Sequence, residues 1–222
     1  FSGVKLAGSV GVAFEEVYYK DRLVGVHASL EDESQMSFYP EIKTAAAGDL
    51  ENLIYADGDA KVIDTVSYKG VQPGEEYVLE ATLRDQKTGE VLKDKDGIAI
   101  TGSTTFTPED TSGTVNVNLT FDASSLAGTS AVVFEQLKVD GAVVGSHEEV
   151  TDTSQHIYIP SISTSAVDSD TGIRNSYADD LVTVHDTVTY KGMAPGKEYV
   201  IKGKLMDKET GEPVTIDGKE VT

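Results

Sequence analysis

The chain repeats itself. Leu6-Ala7-Gly8, followed by Val12-Ala13-Phe14-Glu15, returns as Leu126-Ala127-Gly128, followed by Val132-Val133-Phe134-Glu135, 120 residues further on. His27, Gln35 and Pro40 return as His147, Gln155 and Pro160 at the same offset. Thr44, inside Ile42–Ala46, returns as Thr164 inside Ile162–Ala166. Beyond that point the offset is 122: Asp64 to Gly70 returns as Asp186 to Gly192, Pro73-Gly74 as Pro195-Gly196, and Asp85–Gly89 as Asp207–Gly211. Whatever folds must fold more than once along the chain. Residues 1–40 therefore read as the C-terminal part of one unit, 41–160 as a complete unit, and 161–222 as the N-terminal half of the next. Few residues separate Pro40 from Thr44, so no flexible linker is expected and the units should stack as a stiff rod. The chain opens at Phe1 without a Met and is expected to be a fragment of something longer.

Each unit reads as all-β. Val62–Tyr68, Glu76–Leu83, Thr114–Phe121, Ala131–Leu137 and His156–Ile159 are short and rich in β-branched and aromatic residues. Turn signals separate them at Lys69-Gly70, Pro73-Gly74, Thr88-Gly89, Asp96-Gly97, Ser112-Gly113 and Asp140-Gly141. Asp140-Gly141 lies between Leu137 and Val144 and predicts a two-residue hairpin. No long amphipathic helix stands out. About eight to nine strands per unit predict tandem immunoglobulin-like, CnaB-like β-sandwiches.

Composition narrows the function. Eighteen basic against 38 acidic residues give a net charge of −20, so no basic surface is available for nucleic acid or anionic membranes. No apolar run approaches the length of a membrane span, so no membrane insertion is expected. There are no cysteines, hence no disulfide, thiol catalysis or Cys-ligated zinc. No cofactor is implied.

The strand period of two places polar residues on core-facing sides. Asp64 shares a face with Val62, Val66 and Tyr68, and Asp186 does so with Val184, Val188 and Tyr190. Glu135 shares one with Val133 and Leu137. Thr44 is in phase with Ile42 and Ala46, and Gln155 with Ile157 and Ile159. A buried carboxylate without a partner is costly. A polar cluster is expected, with at least one acid protonated, and His147 is close enough in sequence to join it.

In order and spacing these residues resemble the VaFE-repeat domains of Gram-positive surface proteins. The resemblance rests on Thr44, on Asp-x-Val-x-Tyr at Asp64–Tyr68, on the turn from Tyr68 to Gly74, and on Asp-x-x-Thr-Gly at Asp85–Gly89. It continues through Val-x-Phe-Glu at Val132–Glu135, His147, and Asp-x-x-Gln at Asp152–Gln155. It implies a self-formed ester bond, with Thr44 as nucleophile and Gln155 as electrophile losing its amide as ammonia. His147 is implied as the general base, with Asp64 and Glu135 orienting the His and polarising the amide. Glu15, His27 and Gln35 fill the later positions in the first partial unit, and Thr164 and Asp186 the earlier ones in the last.

The resemblance further implies a stalk segment of a cell-wall-anchored, extracellular adhesin. Its partners would be neighbouring repeats or head-to-tail copies of the chain, with a host ligand bound elsewhere in the protein. Direct binding of host protein or glycan is the alternative. A hydrolase is disfavoured by the core position of the residues. Lysine–asparagine isopeptide chemistry is disfavoured because Lys43 has the opposite phase to Thr44 and becomes Ser163. Asp168–Gly172 is read as an acidic surface turn rather than a calcium loop. His156 and His185 are expected at the surface.

Overall fold

From Ala60 to Lys69 the chain alternates buried and exposed residues without a break. This is the signature of a strand with one face on a core and the other in water. In the computed structural model, which describes residues 2–222, the complete unit has eight strands. They are β1 (Glu41–Ala47), β2 (Ala60–Lys69), β3 (Tyr77–Asp85), β4 (Thr101–Phe106), β5 (Ser112–Phe121), β6 (Thr129–Val139), β7 (Ala142–His147) and β8 (His156–Ile159). Antiparallel pairing gives one sheet in the order β1-β2-β5 and a second in the order β7-β6-β3-β4, with β8 also on β6. Among the described residues there is no α-helix, only 3₁₀ turns, and no helix long and apolar enough to cross a membrane. The unit is an all-β, immunoglobulin-like sandwich.

The two sheets close on Val62, Val66 and Leu119 from one side and Leu79, Leu83, Val133, Leu137 and Ile157 from the other, all almost fully buried. Burial of each such side chain stabilises by about 1.5–3 kcal/mol. At Gly102 the sheets come closer still. A Cβ there would lie 2.5 Å from the Asn118 carbonyl oxygen, so only glycine lets β4 approach β5.

Strand β6 is the organising element. Its first half, Thr129–Val132, pairs with β8, and its second half, Glu135–Val139, pairs with β7 along the same edge. The Asp140-Gly141 turn joining β6 to β7 has both residues at positive φ (48° and 79°), as a type I′ hairpin requires. Between β7 and β8 the chain leaves the edge, forms a one-turn 3₁₀ segment at Thr153–Gln155, and returns.

The flanking segments reuse this geometry. Before Pro40, Ser9–Val12 pairs with Met36–Tyr39 and Glu15–Tyr19 with Arg22–His27, matching the two halves of the β6 edge. After Pro160, Ser161–Asp168 pairs with Val184–Lys191. Thr164 lies opposite Val188 and Ala166 opposite Asp186, as Thr44 lies opposite Val66 and Ala46 opposite Asp64.

His156 departs from the expectation of a surface residue; it is buried, whereas His185 is exposed. Every residue of β8 is buried because both its faces are covered. Alternation therefore gave the right phase for Gln155 but the wrong environment for its neighbour. The His156 ring bridges Gln86 Nε2 (3.2 Å to Nδ1) and the Val150 carbonyl (2.9 Å from Nε2). Since a carbonyl only accepts, Nε2 carries the proton. The Asp168–Gly172 segment is a surface turn in which Asp168 Oδ1 accepts from the Asp170 and Thr171 amides. Asp85 and Asp207 cap their own Asp-x-x-Thr-Gly turns in the same way.

Candidate functional site

Four polar side chains meet inside the sandwich. Thr44 comes from β1, Asp64 from β2, Glu135 from β6 and Gln155 from the 3₁₀ segment before β8. Asp64, Glu135 and Gln155 are wholly buried and Thr44 nearly so. Register explains the meeting. Thr44 is paired with Val66 on β2, which places Asp64 diagonally beside it on the same face. Gln155 sits where the β6 edge passes from β7 to β8, next to Glu135.

The Gln155 amide Nε2 lies against Thr44 Oγ1 and is 3.3 Å from Asp64 Oδ1. The Thr44 hydroxyl donates to Glu135 Oε2 at 3.2 Å. Ser154 Oγ also lies 3.1 Å from the Thr44 carbonyl oxygen, bringing the 3₁₀ segment against β1. Three buried oxygens, Asp64 Oδ2, Glu135 Oε1 and Gln155 Oε1, find no N–H or hydroxyl donor. A proton held between the two acids supplies what Asp64 and Glu135 lack.

The electrostatics agree. Burial, with the neighbouring Asp64 charge and a hydrogen bond between the two acids, pushes the Glu135 carboxyl up to about 10. Burial raises Asp64 as well, opposed by hydrogen bonds from Glu135, Gln155 and the Ala45 amide and by the nearby His147. Two carboxyls in one dry site cannot both ionise cheaply. Glu135 keeps its proton and shares it with Asp64.

This carries a pH signature. Glu135 binds a proton in the folded state up to about pH 10, but loses it near its ordinary value when unfolded. The folded state therefore holds more protons between these limits, and stability falls as pH rises through that window. In a Thr44→Ala background, Glu135→Gln should remove the penalty. Its unfolding free energy is expected to exceed its parent's by about 1–3 kcal/mol at pH 8, and the difference to vanish near pH 4. Denaturant titrations at the two pH values measure it, and a pH-independent difference contradicts the assignment.

His147 lies opposite Glu135 on β7, half-buried at the rim of the cluster. Its Nε2 is 2.9 Å from Asp152 Oδ2. No hydrogen bond joins its ring to Thr44, whose hydroxyl is taken by Glu135 instead. Asp152 is the residue to which sequence reasoning gave no role. It accepts from Ser154 and His147, which hold it below the usual carboxylate range. Through the Ser154 amide and hydroxyl it also caps the 3₁₀ segment carrying Gln155. The signal was present in the sequence as Asp32 and Asp152 at matching positions. The structure repeats it: His27 Nε2 is 2.8 Å from Asp32 and its Nδ1 is 3.5 Å from Glu15.

The remaining expected positions separate into halves. Glu15, His27 and Gln35 lie together before Pro40, without a threonine-bearing strand beside them. Thr164 and Asp186 lie on the paired strands after Pro160, exposed and without a Gln or Glu opposite. Among the described residues no group of His, Cys, Asp and Glu is arranged to hold a metal ion.

Fold and site together define a class: tandem β-sandwiches that hold a threonine hydroxyl against a glutamine amide between their first and last strands. Residues 40–159 and 160–222 match the T-Q ester bond containing domain, and the chain belongs to that family. Comparison with curated protein sequences gave no match. Among solved structures, a bacterial adhesin from Mobiluncus mulieris containing intramolecular disulfide, isopeptide and ester bond cross-links aligns over 70% of this chain and 74% of its own, with 16% identity and a TM-score of 0.45. A second crystal form of it gives 14% identity over 70% and 75%, with a TM-score of 0.42. A glycosyl hydrolase family 2 member from Bacteroides cellulosilyticus aligns over 71% of this chain but 18% of its own, with 13% identity and a TM-score of 0.38. Identities and scores this low transfer no function.

Proposed function

We propose that the complete unit forms an ester between Thr44 and Gln155 once, on folding, and that the chain is a load-bearing stalk segment of an extracellular, cell-wall-anchored adhesin of a Gram-positive bacterium. The observation that carries the reading is the contact of Thr44 Oγ1 with the Gln155 carboxamide inside a sealed core. The Thr44 oxygen adds to Gln155 Cδ, the C–N bond breaks, and ammonia leaves with the hydroxyl proton. A threonine hydroxyl needs a base and an amide needs a donor on its oxygen. Glu135 stands at the hydroxyl and Asp64 at the amide nitrogen that must leave. Glu135 Oε2 takes the Thr44 proton while the carboxyl pair protonates the departing amide. His147, oriented by Asp152, acts through these acids from the rim. Folding holds the reactants together and so supplies the effective concentration. Nothing turns over, so the unit is not an enzyme in the ordinary sense. Glu15, His27 and Gln35, and Thr164 and Asp186, are halves of equivalent sites in the adjoining units.

Peptide mapping tests the bond. A proteolytic fragment containing Thr44 should stay joined to one containing Gln155 and separate on treatment with hydroxylamine, which cleaves esters. Recovery of the two only as free peptides rejects the proposal.

A further inference from the structure

Two motifs that repeat most faithfully play no part in the cluster: the Leu-Ala-Gly turn at Gly8 and Gly128, and the Lys-Gly turn at Gly70 and Gly192. The fold brings them together, each turn meeting the other from the adjoining unit. At the first junction, a Cβ on Gly70 would lie 2.6 Å from the Tyr39 carbonyl oxygen, 2.8 Å from that of Ser9 and 2.9 Å from the Gly8 carbonyl carbon. At the second, a Cβ on Gly192 would lie 2.6 Å from the Ile159 carbonyl oxygen and 2.9 and 3.0 Å from Gly128 backbone atoms. The atoms met are backbone in every case and cannot swing aside as a side-chain end can. The preceding glycine is held too. The Gly8 amide donates to the Tyr39 carbonyl and the Gly128 amide to that of Ile159, each at 2.7 Å. From the other side, a Cβ on Gly128 would meet Lys191 Cβ at 3.1 Å and Ser161 Oγ at 2.8 Å.

We infer that this backbone-to-backbone seat is the interaction surface between consecutive units, and that it fixes their relative orientation. The partner it fits is the adjacent repeat of this chain. A single proline between strands limits the reach of the junction but leaves rotation about its flanking bonds. The seat removes that rotation by pressing one glycine turn against another. The same contact occurs at both junctions although the flanking side chains differ, Glu41 at one and Ser161 at the other. Each unit thus carries a seat at both ends, and the angle set at one junction is repeated at the next. The inference stands whether or not the ester forms; its use in a stalk rests on the proposed function.

Glycine at 192 has positive φ (63°), so substitution there strains the backbone regardless of the neighbouring unit. Gly196 separates the two effects: its φ is 78° and a Cβ there meets nothing within 4 Å. The chain lacks cysteine, so spin labels can be placed cleanly at Lys61→Cys and Thr187→Cys, both exposed strand positions on opposite sides of the Pro160 junction. Pulsed electron paramagnetic resonance should give one narrow distance for the otherwise native chain and for Gly196→Ala, and a broadened or displaced one for Gly192→Ala. A broad distribution in the native chain overturns the inference. So does an unchanged distance in Gly192→Ala, or equal broadening in both variants. The intact mass of each sample reports the ester separately, so failure of the cross-link and failure of the seat are distinguishable.

Discussion

The purified chain is expected to weigh about 17 Da less than its sequence requires, the mass of one ammonia, and a Thr44→Ala chain to show no deficit. The expectation follows from the cluster's arithmetic. One complete set of Thr, Asp, Glu and Gln exists in the chain, and the two partial sets each lack the other reactant. One ammonia per chain is therefore the intramolecular limit. Covalent multimers would show instead that Thr164 of one copy reaches Gln35 of another. Freshly refolded protein extends the test in time. Asp152→Asn keeps both reactants but loosens the His147 ring and the cap under Gln155, so its deficit should develop up to about 100-fold more slowly. A native chain of full mass, refolded and incubated, would leave a sandwich with a protonated acid pair and no cross-link.

Under force the proposed bond is expected to have a larger effect than at equilibrium. Thr44 and Gln155 are 111 residues apart. By the chain-entropy estimate, closing a loop of that length stabilises the folded state by about 5 kcal/mol. Single-molecule stretching reads the geometry more directly. With the proposed ester in place, tension applied near Pro40 and Pro160 would pass from β1 to β8 through it, and the enclosed residues would bear none of it. A Thr44→Ala unit is expected to release about 37–40 nm of contour length when it yields, the extended span of those residues. The native unit should release none of that length before a covalent bond breaks. Full-length extension of the native unit at forces typical of β-sandwiches would exclude a load-bearing cross-link.

Much of this was legible before the fold. Val62, Asp64, Val66 and Tyr68 alternate so regularly that β2 and the inward direction of its acid follow from period alone. The structure extends it to Ala60 and Lys69. The phases of Thr44, Glu135 and Gln155 were readable in the same way. Strand β4 was not, because Thr101-Gly-Ser-Thr-Thr carries no apolar alternation; its antiparallel ladder with β3, from Tyr77 opposite Phe106 to Thr82 opposite Thr101, is what makes it a strand. His156 was misplaced because periodicity reports which side a residue faces, not whether that side is covered. The role of Glu135 as acceptor for the Thr44 hydroxyl depends on a contact between strands 91 residues apart, which no local pattern encodes.

The split edge of β6 has a further consequence. One strand accepts two short partners end to end, and the same arrangement recurs before Pro40. Neighbouring units therefore offer one another edges of the same geometry, the circumstance in which repeat proteins trade strands and assemble wrongly. A four-residue terminal strand such as β8 is the element most readily exchanged. Where Gln155 closes the proposed ester on the threonine of its own unit, that unit would be withdrawn from exchange with its neighbours.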